Sequence, residues 1–533
     1  MWEKLQSFME GLFDKFKKDL IDALNKERAR PSDLSARKCD EFFSIVHGQR
    51  MALTYGDVRL RTCHSEVLPA ETVLKSRFSR NISLNIPVIS SPMDTVTEHE
   101  MAIAMAKLGG LGVIHKGLSP EDQAKEVRRV KHCLSAFISD PIVVNINDTV
   151  EKVLKMREAK GYKFSSFPVV DDNGKMVGLA TRSFFDYCRD NQRHIADIMS
   201  SEIVSLPEGA QIEDAYNKMM EEHIRILPVF DVSGAFKGIY TLSDVKRIIN
   251  GDHGDYNLAK DGTLLVGAAI GVKDEERLRF LAEAKVDVFV IDTAHGDSKG
   301  VIDMVKFCKR EYPHIDVVAG NVSEGESAKR LADAGADGVR VGQGPGSICT
   351  TRIVAGVGCP QVTAVYECSK ALRGSGVAVC ADGGIEYSGD FTIALGAGAD
   401  CGMFGKFFAG TTESPGEVIY NNGSKPVKAY RGMGSLGAML EHKASRERYG
   451  QTDSSKDKLV PEGVESIVDY RGDVSVVLHQ LLGGLRSGMG YTGSKTIAEL
   501  QEKADFWRIS AAGQKESHPH GLAVIQNAPN YRV

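Results

Sequence analysis

The sequence predicts an α/β protein: a (β/α)8 barrel with a second domain inserted into it and a helical extension before it. Three observations lead to this prediction. Eight short apolar segments alternate with helical stretches, and polar or glycine residues repeatedly follow those segments. One interval between two consecutive segments is far too long for an ordinary connection.

The eight apolar segments have the near-continuous hydrophobicity of parallel strands that are buried on both faces. Helical stretches such as Asp274–Ala284 and Glu324–Ala334 supply the crossovers. Eight such units predict a TIM barrel, with its first part at residues 51–120 and its second part at residues 259–533. The predicted strands are Ile86–Ser90, Gly110–His115, Thr263–Ala268, Val286–Asp292, Asp316–Gly320, Gly338–Gly342, Val377–Asp382 and Asp400–Phe404.

Polar and glycine residues follow the carboxyl ends of the last five segments, where barrel enzymes carry their active sites. The loops after strands seven and eight form the usual phosphate site of this fold. Gly384, Gly405 and Lys406 therefore indicate a phosphorylated small molecule. The alternative is that these glycines only make tight turns.

Cys349 lies in the most unusual of these loops, in which three glycines precede the thiol and hydroxyl side chains follow it. Glycines let the backbone approach a ligand closely, and a thiol beside such a turn can become a nucleophile. A single cysteine is by itself more often a small buried hydrophobic residue. The surrounding loop makes Cys349 a candidate nucleophile.

The interval between the second and third strands predicts an inserted domain at residues 121–258. It contains two copies of a helix, strand, turn, strand, helix pattern, at about 137–194 and 197–252. The repeat resembles a tandem pair of cystathionine-β-synthase-type (CBS) modules, which commonly bind adenine or guanine nucleotides. The resemblance implies a nucleotide site at Thr241 and Asp244; Phe184 takes the place of Asp244 in the first copy. A purely structural module is the alternative.

Residues 1–50 are predicted to form a helical extension. Its apolar residues recur every 3.6 positions, which indicates an amphipathic helix. Six basic and six acidic residues between Glu3 and Arg28 do not favour attraction to a membrane. The helix either packs on a barrel or mediates higher assembly. Its apolar residues are Trp2, Leu5, Phe8, Met9, Leu12, Phe13, Phe16, Leu20, Ile21 and Leu24.

Composition narrows the function classes. The net charge of -5 over 533 residues gives no basic field for nucleic acid, which is therefore not expected as a partner. The ten cysteines form no C-x-x-C pair, and neither a zinc site nor a disulfide framework is expected. No apolar run approaches the roughly 18 residues of a membrane span. These features predict a cytoplasmic protein.

Three long motifs carry a family resemblance that covers nearly everything after Met51. They are Ser90 to Glu98, Gly344 to Arg352 and Tyr430 to Ser435. In these motifs the chain resembles the family of inosine-5′-monophosphate (IMP) dehydrogenases and guanosine-5′-monophosphate (GMP) reductases. The resemblance implies a TIM-barrel enzyme that acts on a purine nucleotide with a nicotinamide cofactor.

The resemblance implies two adjacent binding sites. The nucleotide site comprises Ser91, Met93, Ser347, Asp382, Gly384, Gly405, Lys406, Tyr430, Met433, Gly434 and Glu462. The NAD site comprises Asp292, Asn321, Gly342 and Gly344. The chain has no G-x-G-x-x-G fingerprint that opens a helix after a strand, so NAD is not expected to bind as in a Rossmann fold. Lys406 stands where the dehydrogenases usually have serine.

The resemblance also implies a covalent mechanism and a potassium ion. The catalytic residues would be Cys349, Thr351, Arg448, Tyr449 and Glu462, of which Arg448 and Tyr449 would lie on a mobile flap in the second barrel part, which also carries the C-terminal tail. Carbonyl groups of Gly344, Gly346 and Cys349 would hold K⁺, and Glu516, Ser517 and His518 would complete the site of a neighbouring subunit. A homotetramer, which could form an octamer, is therefore expected. His518-Pro519-His520 allows a transition-metal site as the alternative.

The resulting functional hypothesis is NAD-dependent oxidation of IMP to xanthosine 5′-monophosphate (XMP) in guanine nucleotide biosynthesis. The alternative is a GMP reductase, which would use NADPH and release ammonia but should lack a working arginine-tyrosine flap. Arg448-Tyr449 favours the dehydrogenase. A non-catalytic nucleotide-sensing assembly protein is a third hypothesis.

Overall fold

A computed structural model of the chain describes residues 37–134, 137–138, 141–159, 162, 164, 166–250, 254–421, 425–452, 454–522 and 528–531. The helix predicted between Trp2 and Leu24 lies outside these residues. The described residues divide into two units. The larger unit holds those up to Lys131, Asp255–Ala259 and those from Leu264 onward, and the smaller unit holds His132–Gly254 and Lys260–Thr263.

Eight parallel strands of the larger unit close into a barrel, which confirms the predicted fold class. Neighbouring strands follow one another in chain order, and the eighth pairs with the first. The strands are β1 Val88–Ser90, β2 Leu111–Ile114, β3 Val266–Ile270, β4 Val288–Asp292, β5 Asp316–Val322, β6 Gly338–Val341, β7 Ala378–Asp382 and β8 Cys401–Phe404.

One long helix follows each barrel strand, as a (β/α)8 barrel requires. The two helices that were predicted with explicit bounds each begin and end one residue inside those bounds. The helices are α1 His99–Lys107, α2 Pro120–His132, α3 Glu275–Glu283, α4 Lys299–Glu311, α5 Gly325–Asp333, α6 Gln361–Ala371, α7 Ser388–Gly396 and α8 Val474–Tyr491.

Six strands lie within their predicted bounds, and β3 and β5 extend beyond them. β3 begins at Val266 because Thr263 instead forms a turn, in which its backbone N–H and hydroxyl both donate to the carboxylate of Asp261. β5 continues past Gly320 to Val322, with an irregular register against β6. Asn321 therefore lies within a strand and is more firmly placed than a loop residue would be.

The barrel interior is filled by apolar side chains from most strands and from a short hairpin, Ser76–Arg77 with Ser83–Leu84. Phe78 of this hairpin is fully buried, and the neighbouring Arg80 donates its N–H to the carbonyl of Asp337, just before β6. The hairpin thus covers the amino ends of the strands. The opposite end is left for the loops that follow the strands.

The smaller unit contains two similar sheets. In the first, Phe167–Val170 pairs with Met176–Ala180; in the second, Ile226–Phe230 pairs with Phe236–Thr241. Both pairs are antiparallel and both have a register shift near the turn. Each copy also has its own apolar cluster. The other strands of this unit are Phe137–Ile138, Val144–Asn145 and Leu206–Pro207, and its helices are Val150–Ala159, Arg182–Tyr187, Ile212–Glu221 and Leu242–Ile249.

The remaining elements surround the barrel. The helix Cys39–Gly48 packs on it through Phe43, whose ring stacks on Tyr366 at 3.8 Å. No helix in the described ranges is long and apolar enough to cross a membrane. Other strands are Val58–Leu60, Ile419–Asn421, Lys425–Arg431, Glu465–Asp469 and Phe506–Arg508; other helices are Thr351–Val354, Lys406–Ala409, Leu436–Glu441, Lys443–Arg448, Ile497–Lys503 and Ala511–Glu516.

Candidate active site

A cavity of about 200 Å³ lies at the carboxyl ends of the barrel strands. The structure gathers most of the sequence-predicted site residues around it, from loops that are far apart in the chain. They are Ser91, Met93, Asn321, Gly342, Gly344, Gly346, Ser347, Cys349, Asp382, Gly384, Gly405, Lys406, Tyr430, Met433, Gly434, Arg448, Tyr449 and Glu462.

The loop between β6 and the short helix Thr351–Val354 presents Cys349 to the cavity. The Cys349 N–H donates to the carbonyl of Gly346 at 3.0 Å, which turns the backbone tightly before the helix. The Sγ of Cys349 lies 3.2 Å from the Thr351 hydroxyl oxygen and donates to it. The thiol is partly buried and next to a group that can exchange a proton.

Glu462 is held at this loop by backbone pairing. Its carbonyl accepts the N–H of Thr350 at 3.0 Å, and its N–H donates to the carbonyl of Gly434 at 2.9 Å. The next pairing joins the Val464 N–H to the carbonyl of Ile348 at 3.0 Å. Glu462 is therefore fixed between the cysteine loop and the glycine motif, although more than 100 residues separate it from Cys349.

One end of the cavity is tightly packed around Gly405, just before the helix Lys406–Ala409. A Cβ atom at Gly405 would lie 2.8 Å from the Tyr430 hydroxyl oxygen and 3.0 Å from the Met93 sulfur. Burial raises the pKa of Tyr430 to about 12, so its hydroxyl stays protonated and can donate to an anion. Lys406 is exposed at the edge of the cavity.

Four charges of alternating sign form a chain in the wall of the cavity, which Arg340, Asp382 and Arg448 line. Arg340 donates to Asp292 at 2.9 Å and to Asp382 at 2.8 Å, and Asp292 also forms an ion pair with Arg448. Asp292 and Arg340 are each 2% exposed. Asp292 therefore lies behind the cavity and does not form part of its lining. The sequence analysis missed Arg340, because nothing in an apolar strand segment reveals the partners of its one charge.

These contacts set the pKa values of the charged groups. Burial disfavours the carboxylate of Asp292, but Arg448 and Arg340 overcome that effect and hold its pKa below the ordinary value. Burial also disfavours the Arg448 cation, yet Asp292 raises the pKa of Arg448 above its ordinary value. Arg448 is therefore firmly protonated in this arrangement.

Arg448 belongs to a flap between strands Lys425–Arg431 and Glu465–Asp469, and it ends the flap helix Lys443–Arg448. Its carbonyl accepts the N–H of Ala294, so the backbone and the side chain both dock on the loop after β4. The ring of Tyr449 lies against Gly434, where a Cβ atom would be only 2.5 Å from the ring. Burial raises the pKa of Tyr449 to about 12.

The base of the flap is anchored to the loop that carries Ser91 and Met93. Arg431 donates from two nitrogens to one oxygen of Asp94, at 2.9 and 2.6 Å. His442 lies 3.1 Å from the same oxygen. Asp94 is only 7% exposed, so these contacts are shielded from water. The flap is thus tied both to the loop after β1, which carries Ser91 and Met93, and to the loop after β4.

Comparison with known proteins shows the family of the chain. Residues 52–520 match the family model described as IMP dehydrogenase / GMP reductase domain. The chain belongs to this family.

Relatives of both kinds within the family are similar to the chain. An inosine-5′-monophosphate dehydrogenase of Halalkalibacterium halodurans is 46% identical over 91% of the chain and 99% of the relative, and that of Aquifex aeolicus is 46% identical over 90% and 98%. A solved structure of a GMP reductase variant from Trypanosoma brucei, in complex with guanosine 5′-monophosphate, has a TM-score of 0.78 at 39% identity. The match covers 89% of this chain and 98% of the reductase chain.

The IMP dehydrogenase / GMP reductase family implies a nicotinamide cofactor, and the cavity fits one in part. The Oδ1 atom of Asn321 is buried and accepts no hydrogen bond within the described residues. Its Nδ2 donates to Gly342 and to Asp382, both at 2.8 Å, so the acceptor is held in place. Asp292 is engaged by Arg448, which means that the flap and a cofactor that uses Asp292 must alternate.

The cysteine loop contains carbonyl oxygens that could serve as ligands of the potassium ion expected from this family. Among the described residues, no hydrogen bond is donated to the carbonyl oxygens of Gly344 or Cys349, whereas that of Gly346 accepts one. Hard cations favour such oxygen ligands. Nor do three His, Cys, Asp or Glu side chains group as a metal site within the described ranges.

The predicted tail residues lie apart from the cysteine thiol. Ser517 and His518 border a second cavity of about 750 Å³, and Glu516 ends the helix Ala511–Glu516. The Nδ1 atom of His518 lies 3.0 Å from the hydroxyl of Tyr531. No hydrogen bond joins these three residues to the cysteine loop within the described part of this single chain. Their predicted contact with a neighbouring subunit stays a prediction.

Thr241 and Asp244 lie in the smaller unit and begin the helix Leu242–Ile249. The Thr241 hydroxyl donates to the Asp244 carboxylate at 2.6 Å and accepts the Asp244 N–H at 3.4 Å. Arg247 pairs with the other Asp244 oxygen at 3.0 Å. The residues predicted to bind ribose and phosphate thus also cap a helix.

Proposed function

We propose that the chain oxidises IMP to XMP, with NAD as the hydride acceptor, in guanine nucleotide biosynthesis. One observation carries this choice within the family: Arg448 and Tyr449 of the flap lie inside the cavity that Cys349 lines. A hydrolytic step needs such groups beside the thiol, whereas the release of ammonia by a GMP reductase does not. The dehydrogenase relatives, which match about nine tenths of the chain, support the same choice.

The first step would form a bond between Cys349 Sγ and C2 of the purine. The thiol proton would pass through the Thr351 hydroxyl, which lies 3.2 Å from the sulfur, to the solvent, and the attack would move the C2=N3 π electrons onto N3. C2 becomes tetrahedral and then loses a hydride to NAD⁺, which leaves a covalent thioimidate. Asp382, which lines the cavity and is held by Arg340 and Asn321, would accept hydrogen bonds from the ribose.

The second step would add water to C2 and release the Cys349 thiolate and XMP. Arg448 is paired with Asp292 and firmly protonated in the arrangement described, so its guanidinium holds and polarises the water. In this arrangement the Thr351 hydroxyl and the Glu462 carboxylate accept the proton of the water. Arg448 itself could act as a base only after its pairing with Asp292 is released.

Nicotinamide dinucleotide would contact Asn321, Gly342 and Gly344 while the flap is withdrawn. When bound it supplies the hydride acceptor, and the protein supplies position and a water-excluding surface. K⁺ would rest on the carbonyls of Gly344, Gly346 and Cys349, where it would hold the cysteine loop in shape.

The smaller unit would bind an adenine or guanine nucleotide near Thr241 and Asp244 and would regulate the barrel. A homotetramer would place Glu516, Ser517 and His518 at the cysteine loop of a neighbouring subunit. Both proposals are supported by the family membership and by the repeat in the smaller unit.

GMP reduction is the second candidate because a GMP reductase structure matches 89% of the chain. Two assays in potassium buffer decide between them, one with IMP and NAD and one with GMP and NADPH, each followed by the absorbance of reduced cofactor. We expect reduced cofactor to appear with IMP. Consumption of NADPH with GMP alone would make the chain a reductase, and activity in neither assay would favour the assembly protein.

A further inference from the structure

Lys116 is a buried cation to which the sequence analysis gave no role. It lies two residues after β2 and is 4% exposed. Its ammonium donates to the backbone carbonyl of Asp292 at 2.7 Å. It forms no ion pair with any carboxylate among the described residues, which is unusual for a lysine so fully buried.

The surroundings of Lys116 connect it to the flap. A Cβ atom at Gly271 would have three charged atoms around it: Asp274 Oδ2 at 3.5 Å, Lys116 Nζ at 3.6 Å and Glu447 Oε2 at 3.8 Å. Asp274 is already engaged, because the same Oδ2 accepts hydrogen bonds from Gly271 and Arg277. Glu447 belongs to the flap helix and immediately precedes Arg448.

A structural role explains Lys116 poorly. Burial of an ammonium without an ion pair destabilises a folded protein, and an unbranched apolar side chain would fill the same space. Burial and the nearby Arg448 cation lower the pKa of Lys116 to about 8, although Asp292, Asp274 and Glu447 oppose that effect. Buried ionisable groups that destabilise the fold in this way are concentrated at functional sites.

We propose that Lys116 is a positioning residue for the flap: it fixes the loop of Asp292, which receives Arg448, and it attracts Glu447 beside Arg448. Lys116 thereby favours the closed flap over the withdrawn one. The part of this inference that concerns hydrolysis rests on the proposed oxidation of IMP, since that step needs Arg448 in the cavity. The part that concerns the flap itself does not.

Lys116→Met tests the kinetic part. We expect the first turnover, in which reduced cofactor forms on the enzyme, to keep its rate within about twofold. Steady-state turnover should fall about tenfold, which corresponds to one lost charge-assisted hydrogen bond. Rapid-mixing absorbance measurements separate the two rates. Equal loss in both rates, or no loss in either, would overturn the proposal.

Limited trypsin digestion tests the flap without any catalysis. Lys456 and Lys458 lie exposed in the flap and are cleavage points. A flap that is withdrawn more often should be cut several times faster in Lys116→Met than in the unaltered protein. Unchanged digestion would contradict the proposal even if the chain proved to be a reductase, so the two failures are distinguishable.

Two further variants guard against a merely structural effect. Lys125→Met removes an exposed lysine of α2 that pairs with Asp122, and it should change neither rate nor digestion. Glu447→Gln should reproduce the digestion result, and combining it with Lys116→Met should add little. The Tm of Lys116→Met should be equal or a few degrees higher; a fall of about 10 °C with loss of both rates would show a structural lysine instead.

Discussion

The carboxylate of Asp292 receives two arginines, and Arg340 in turn spans two aspartates. Removing one partner from such a buried set leaves an uncompensated charge. We expect Arg340→Met to lower the free energy of unfolding by about 3–5 kcal/mol, as chemical denaturation would measure. Arg330→Met is the matched control, because Arg330 is half-exposed and water screens its pairs with Asp297 and Glu326, so its loss should change the free energy of unfolding much less. Equal losses would contradict the distinction.

The contact between Gly434 and Tyr449 leaves no room for a side chain. A methyl group there would push the Tyr449 ring out of the cavity. Gly434→Ala should therefore slow steady-state turnover by roughly tenfold or more while leaving the first formation of reduced cofactor less affected. Gly483→Ala, in α8 with no atom within 4 Å of the added methyl, should be indistinguishable from the unaltered protein. A fully active Gly434→Ala would show that the contact has no catalytic consequence.

Cys349 and Cys359 offer a second matched pair. Cys349→Ala removes the proposed nucleophile and should reduce turnover by roughly a thousandfold or more, with IMP affinity preserved in calorimetry. Cys359 is held apart from the chemistry, since burial raises the pKa of its thiol to about 11. Cys359→Ala should keep turnover within about twofold. Substantial turnover by Cys349→Ala would exclude the covalent mechanism.

At the scale of elements, the flap is anchored through Asp94. Burial disfavours its carboxylate, but hydrogen bonds with His442 and Arg431 hold the pKa of Asp94 below its ordinary value. At pH values above its ordinary pKa near 4, such a carboxylate stabilises the fold. This stabilisation is lost as the pH falls through the lowered pKa of the folded protein. Asp94→Asn should therefore lower Tm by several degrees at pH 7, with a difference that narrows toward pH 3. A difference independent of pH would contradict this account.

The elements also show what could be predicted from sequence. All eight strands were found because continuous apolar runs identify buried parallel strands. Many of the residues that line the cavity were found through motifs, and several of those motifs follow the ends of barrel strands. Arg340 and Lys116 were missed, since an isolated charge in or after an apolar run does not reveal its partners. The pairing of Asp292 with Arg448 joins positions 156 residues apart and depends on the closed barrel.

At the scale of the whole molecule, the larger unit alone contains every residue that lines the cavity. Asn257 fixes the segment of chain that leads into β3 of the barrel, because its side chain donates to the carbonyls of Gly109 and Gly110 at 2.7 and 2.8 Å. Replacement of residues 132–254 with a short Gly-Ser linker should keep turnover within about threefold and remove any response to adenine or guanine nucleotides. Kinetic assays with and without those nucleotides check both. Loss of IMP binding would show that the smaller unit supports the barrel.

If NAD contacts Asp292, as the family resemblance implies, the pairing of Asp292 with Arg448 also bears on inhibition. An inhibitor that binds in the cofactor site would compete with Arg448 of the flap. Its potency would therefore depend on the fraction of molecules in which the flap is closed. If the closed flap prevailed by 99 to 1, the apparent Kd would be about 100-fold weaker than that of the open form. Resistance would then arise from substitutions in the flap helix or around Lys116 that favour closure, even though the drug contacts none of those residues.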